Sequence, residues 1–197
     1  MRKKIGLIFL LAGAALIAFC GVRFFGNEKE AAKAEQSAVE AMAALKPAVE
    51  AAQAANKTID DADEIDEEAI VTVDGYDYIG YLSIPSLSLE LPVMAEWDYA
   101  RLRVAPCREK GSVKDQNLVI AAHNYDAHFG RIVQLQAGDE VRFIDAAGRQ
   151  TVYAVERTQR ISPTDVEAVH QSGCSLVLYT CTKGGAARNA VFCNRAE

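Results

Sequence analysis

Three residue types that could together run acyl-transfer chemistry stand at strand ends in this chain. The first is Cys181, which closes the apolar run Ser-Leu-Val-Leu-Tyr-Thr-Cys-Thr at residues 175–182. A thiolate is a strong nucleophile, and strand ends and loops are where reactive groups are displayed. A six-residue loop, Thr-Lys-Gly-Gly-Ala-Ala, follows and leads to Arg188. If that loop closes a hairpin, Cys181 and Arg188 become cross-strand neighbours, and a guanidinium beside a thiol can stabilise a developing oxyanion. The third residue is His123, which follows the apolar run 118–122. A histidine at a strand terminus can give and take a proton near neutral pH. Taken singly, each has a plainer reading: a free cysteine is usually a small core hydrophobe, and a lone histidine a structural one.

The elements that must position these residues lie in the last 120 or so residues. From Tyr76 onward, short apolar and alternating runs predict strands over 78–84, 87–93, 117–122, 140–145, 150–161, 175–182 and 187–194. Short helices are expected over 97–102, 129–135 and 162–170, and residues 107–116 read as a charged loop. The fold class is therefore mainly β: a seven- or eight-stranded closed or nearly closed barrel with two or three short helices.

Before the barrel, Arg2, Lys3 and Lys4 precede an uncharged run over residues 5–22. Eighteen such residues are just long enough to span a bilayer, and the basic cluster predicts a cytoplasmic N-terminus. An alanine- and glutamate-rich segment follows, with Asn27 as a candidate N-cap and a helix expected from about Glu28 to Lys46, to be ended or kinked by Pro47. Val39, Met42 and Val49 form only a thin apolar stripe, so this segment reads as a semi-rigid stalk lifting the barrel off the membrane. The acidic block at residues 60–68 lacks calcium-loop spacing and reads as a linker. Three parts are expected: an anchor at 1–26, a helical stalk and linker at 27–75, and a catalytic barrel at 76–197.

Net charge is -6 and no basic face is evident, which argues against nucleic-acid partners. The five cysteines, Cys20, Cys107, Cys174, Cys181 and Cys193, show no C-x-x-C spacing, so neither a zinc site nor a thiol–disulfide exchanger is indicated. His128 lies five residues from His123, which fits no common zinc pattern, and His170 ends a short helix whose C-terminus its charge would complement. With Cys181 opposite Arg188, the register places Cys193 opposite Leu176 and on the same face as Cys174. A disulfide between the two is one reading; two free core cysteines is the preferred one.

Val177-Leu-Tyr-Thr-Cys181, Arg188 seven residues on and His123 upstream together resemble the sortase family of bacterial cysteine transpeptidases. Val177 stands where a threonine is usual, and Ala122 where a glycine is common. The Ile-Gly-Tyr-Leu-Ser-Ile-Pro run at 79–85, Leu-Glu-Leu-Pro-Val at 89–93, Gly-Asp-Glu-Val at 138–141 and Ile-Ser-Pro at 161–163 resemble further family landmarks, so the resemblance covers residues 76–197. It implies Cys181 as nucleophile, His123 as acid and base, and Arg188 as oxyanion or substrate partner. It also implies a membrane-anchored enzyme with its catalytic domain outside the cell. Its expected partners are a sorting-signal peptide, LPXTG-like or NPXTN-like, and an amine acceptor on a peptidoglycan precursor or a pilin. Class B and class D members look most similar. No cofactor or metal is expected, and calcium dependence stays open. The alternative is a membrane-anchored binding module that keeps the barrel without catalysis.

Overall fold

The computed structural model describes residues 2–56 and 69–196, without the side chains of 2–11, 22–25 and 166; the acidic block at 60–68 lies outside the described residues. Nine strands form one sheet: β1 (Val71–Val73), β2 (Tyr76–Ile84), β3 (Leu89–Met94), β4 (Cys107–Lys110), β5 (Leu118–Ala122), β6 (Glu140–Asp145), β7 (Gln150–Ile161), β8 (Leu176–Cys181) and β9 (Arg188–Arg195). Their order is β1-β2-β3-β4-β5-β8-β9-β7-β6, and β6 pairs back onto β2. Strands β2 to β9 thus close an eight-stranded barrel, as the alternating runs predict, and β1 adds a short hairpin outside it. Closure turns on Gly80, where the β2 register shifts. Its φ of 144° favours glycine, and a Cβ there would lie 2.0 Å from the Ile144 carbonyl oxygen on β6.

Two strands differ from expectation. β1 falls in what reads as linker, and β4 lies inside the segment that reads as a charged loop. The β4 run Cys-Arg-Glu-Lys hides its period because the register slips between Arg108 and Lys110, leaving Glu109 unopposed. Of the expected helices, one α-helix forms, α2 (Val166–His170), capped by the Asp165 carboxylate accepting from Ala168 N–H. Residues 85–87, 101–103 and 132–134 are single 3-10 turns.

The barrel interior is filled by alternate residues of the strands, among them Leu82, Val93, Ile120, Val141, Leu178 and Val191. A second apolar cluster on the outer face joins Tyr78, Met94, Leu102, Cys107 and Ala121 to the N-terminal helix, and a third joins Val119, Val177 and Phe192 to α2.

That N-terminal helix, α1 (Arg2–Asn56), is the largest departure from the sequence reading. It runs through Pro47 to Asn56 and packs against the barrel. The buried stripe is Ala34, Ala38, Ala41, Leu45 and Val49, whereas Val39 is exposed. Proline inside a helix costs about 3 kcal/mol. Burying a leucine and a valine recovers roughly 1.5–3 kcal/mol each; Leu45 and Val49 flank Pro47 on the docked face, so packing outweighs the breaker. Lys46 adds an ion pair to Glu90 on β3 at 2.8 Å, and Gly148 meets Gln53 so closely that a Cβ would clash. The segment is thus a docked helix rather than a standoff. Among the described residues no helix is long and apolar enough to cross a membrane. The expected span at 5–22 falls partly on residues whose side chains lie outside the described ones.

Candidate active site

β5 and β8 run parallel, with Ala122 level with Thr180. Cys181 is the next and last residue of β8, His123 follows directly on the end of β5, and both line one cleft. β8 and β9 run antiparallel and pair Cys181 directly with Arg188. The structure therefore brings together all three residues singled out by sequence, at one end of three adjacent strands.

Threonines lock this arrangement. The buried Thr180 hydroxyl donates to the Ala122 carbonyl at 2.7 Å, tying the strand that carries the cysteine to the strand that carries the histidine. Thr182 closes the loop: its hydroxyl donates to the Ala187 carbonyl at 3.1 Å and accepts from Ala187 N–H at 3.0 Å. The tight turn at Gly184 and Gly185 needs positive φ, 84° and 75°. The Arg188 guanidinium donates to the Gly185 and Ala187 carbonyls, both at 3.2 Å, so it is held over the loop at the mouth of the site.

His123 is half-buried. Burial lowers its pKa below the ordinary value, the Arg103 guanidinium adds to this, and Glu30 of α1 opposes both. The resting imidazole is accordingly neutral at pH 7. Its ring lies 5.0 Å, centre to centre, from that of Tyr125, whose pKa is raised by burial first and by the Glu30 carboxylate of α1 second. A cleft of about 960 Å³ contains His123 and Cys181, and one wall of it is α1, through Asn27, Glu28, Ala31 and Glu35. Sequence reasoning missed Glu30, Arg103 and this wall, because nothing in an alanine-rich helix announces what its face will meet.

The other histidines have different surroundings. His128 is fully buried behind the site, and burial pushes its pKa down to about 4 against a weaker opposing effect of the Ala34 backbone. His170, at the end of α2, places Nε2 3.5 Å from the Glu109 carboxylate. All five cysteines are free. Cys193 belongs to the barrel interior and Cys174 to the outer cluster, so the shared face expected from register does not form. The chain is irregular at 173–175, where strand alternation has not begun. Burial raises the pKa of the Cys193 thiol to about 12.

Comparison with known proteins gives the chain a family. The Sortase domain family matches residues 82–196, more than half of the chain, and the chain belongs to that family. It is similar to a sortase A of Bacillus anthracis, 31% identical over 127 residues; the match takes in 61% of this chain and 60% of that relative. The fold resembles sortase C1 of GBS pilus island 1, with a TM-score of 0.60 and 19% identity over 81% of this chain and 92% of that one. It also resembles a Clostridium perfringens sortase D5 transpeptidase, with a TM-score of 0.59 and 17% identity over 84% of this chain and 99% of that one.

Proposed function

We propose that this chain is a cysteine transpeptidase that cleaves a sorting-signal peptide and passes its acyl group to an amine. The observation that carries the reading is the register pairing of Cys181 with Arg188, with His123, at the end of the parallel strand β5, lining the same cleft as Cys181. In the first half-reaction the Cys181 sulfur attacks a peptide carbonyl carbon while the neutral His123 takes up the thiol proton. The carbonyl oxygen becomes an oxyanion, which the Arg188 guanidinium stabilises once it leaves the loop carbonyls. The C–N bond then breaks, His123 gives its proton to the departing amine, and a thioester remains on Cys181. In the second half-reaction an incoming amine attacks that thioester, His123 removes the amine proton, and the thiol is regenerated.

The uncharged run at 5–22 with its basic flank supports a single-pass anchor with the N-terminus in the cytoplasm and the barrel outside the cell. The amine acceptor, a peptidoglycan precursor or a pilin, follows from the family likeness. The deciding experiment treats the full chain, in detergent, with LPXTG-like and NPXTN-like peptides and an amine, and reads adducts by mass spectrometry. A thioacyl adduct on Cys181, released by the amine and absent in Cys181→Ala, is expected. An adduct that persists in Cys181→Ala, or none with any peptide, would overturn the reading and favour a binding module.

A further inference from the structure

The cleft that holds His123 and Cys181 does not end at the reactive groups. A second groove, of about 550 Å³, lies further along α1, between that helix and the start of β3. The two share Glu35 of α1 and Ala127 of the loop after His123, so they form one continuous trough. The lining of the groove is mostly apolar: Leu89 and Leu91 of β3 face Ala38, Met42 and Pro47 of α1. Val39 and Ala43 line it too, and both are exposed, Val39 by 63%. Toward its far end the Lys46–Glu90 ion pair, at 2.8 Å, joins helix to strand.

Docking of α1 does not account for this surface. The helix docks through the buried Ala34, Ala41, Leu45 and Val49, whereas Val39 and Met42, the other members of the apolar stripe, line the groove. A concave apolar surface left in water is a place where an apolar side chain gains by burial. Continuity with the cleft decides whose side chain that is: a peptide with its carbonyl at Cys181 has neighbours that can follow the trough. At about 1.5 Å per helix residue, Met42 lies roughly 16 Å along α1 from Ala31, which lines the cleft. An extended peptide covers that distance in about five residues. Glu35, Glu50 and Glu90 line the groove alongside Lys46, so an acidic chain is disfavoured there.

We propose that this groove is a substrate subsite that takes an apolar side chain of the sorting-signal peptide, about five residues from the scissile bond on the acyl side. The side follows from the order of the two half-reactions. The leaving fragment must clear the cleft before an amine can attack the thioester, and an apolar subsite that held it would slow that exchange. The acyl portion stays on Cys181 through both steps, so a contact made to it serves cleavage and transfer alike. The favoured side chains are leucine, valine, methionine and phenylalanine; aspartate and glutamate are excluded by the carboxylates along the groove.

The subsite rests on the transpeptidase reading, and the test separates the two. Peptides of one scissile sequence carry leucine or serine at single positions about three to eight residues from the bond, in one series on the acyl side and in another on the leaving side. The full chain is assayed in detergent, reading kcat and KM separately. About five residues away on the acyl side, leucine is expected to be preferred roughly three- to tenfold in kcat/KM, mainly through KM, as half-burying one leucine gives. Ala43→Trp, which fills the groove, and Val39→Gln, which makes its lining polar, are each expected to bring that ratio toward one. Both side chains are exposed, so both variants are expected to keep the wild-type urea midpoint. A wild-type chain without preference on the acyl side, a preference confined to the leaving side, or a ratio unchanged in both variants would overturn the proposal. So would self-association that Ala43→Trp abolishes while leucine and serine peptides react alike, which would assign the groove to a second copy of the chain. A wild-type chain that forms no thioacyl adduct with any peptide refutes the transpeptidase reading instead.

Discussion

His128 offers a prediction whose size follows from its surroundings. The side chain is fully buried between the loop that carries His123 and the docked face of α1, and burial drives its pKa to about 4. In the unfolded chain an imidazole titrates near 6.5. The unfolded state therefore binds the proton more tightly, and the folded state loses stability as pH falls from about 7 toward 4. At full effect that difference corresponds to roughly 3 kcal/mol, and most of it has been lost by about pH 4.5. His128→Gln removes the titration. Urea unfolding of both proteins at about pH 8 and pH 4.5 isolates the histidine from the carboxylates, which titrate in both. The variant is expected to lose roughly 2–3 kcal/mol less than the wild type between those two conditions. Equal losses would refute the argument that burial holds this ring neutral. Because His128 N–H donates to the Tyr125 carbonyl and Phe129 N–H to that of His123, the loop that carries His123 is expected to be the first segment to lose exchange protection in acid.

Other perturbations probe other parts of the argument. Leu45→Ala removes a fully buried side chain from the α1–barrel interface and is expected to cost about 2–5 kcal/mol in denaturant unfolding; a change under about 0.5 kcal/mol would mean the helix is not docked in solution. Gly80→Ala is expected to destabilise the barrel by several kcal/mol or to prevent folding, since its Cβ meets the Ile144 carbonyl at 2.0 Å; a wild-type melting curve would contradict the closure at that seam. Arg188→Lys is expected to lower kcat roughly 10²-fold with a smaller change in KM, because an ammonium lacks the planar fork; near-normal turnover would remove Arg188 from the oxyanion role. Glu30→Gln is expected to lower the His123 pKa further, since a nearby negative charge is lost; an unchanged acidic limb in the profile of kcat/KM against pH would show that α1 does not reach the site.

How far the sequence could be read depended on whether chemistry or packing set each residue. Cys181, Arg188 and His123 were legible because strand alternation and a six-residue glycine loop are local signals, and the barrel class followed from regularly spaced apolar runs. β4 was not, because a bulge at Glu109 breaks the period that would have marked it. The docked face of α1 was not, because alanine serves equally as helix former on an exposed face and as small packing surface on a buried one. Val39 looked more hydrophobic than Ala34, Ala38 and Ala41, yet it is exposed while the alanines are buried with Leu45 and Val49, because the side of the helix that meets the barrel, not the hydrophobicity of each residue, sets the docked face. Cys174 and Cys193 parted for a similar reason, since alternation counts faces only after a strand has begun.

The sequence by itself determined which groups could react and on which strands they would ride, because local spacing controls the direction of a side chain along a strand. Tertiary structure alone decided their neighbours: the parallel β5–β8 register that sets His123 beside Cys181, the α1 wall of the cleft with the Glu30 charge acting on that histidine, and the Glu109–His170 contact drawn from two distant segments. Such contacts depend on barrel closure and on competition between packing and local propensity, and neither is a property of any one stretch of chain.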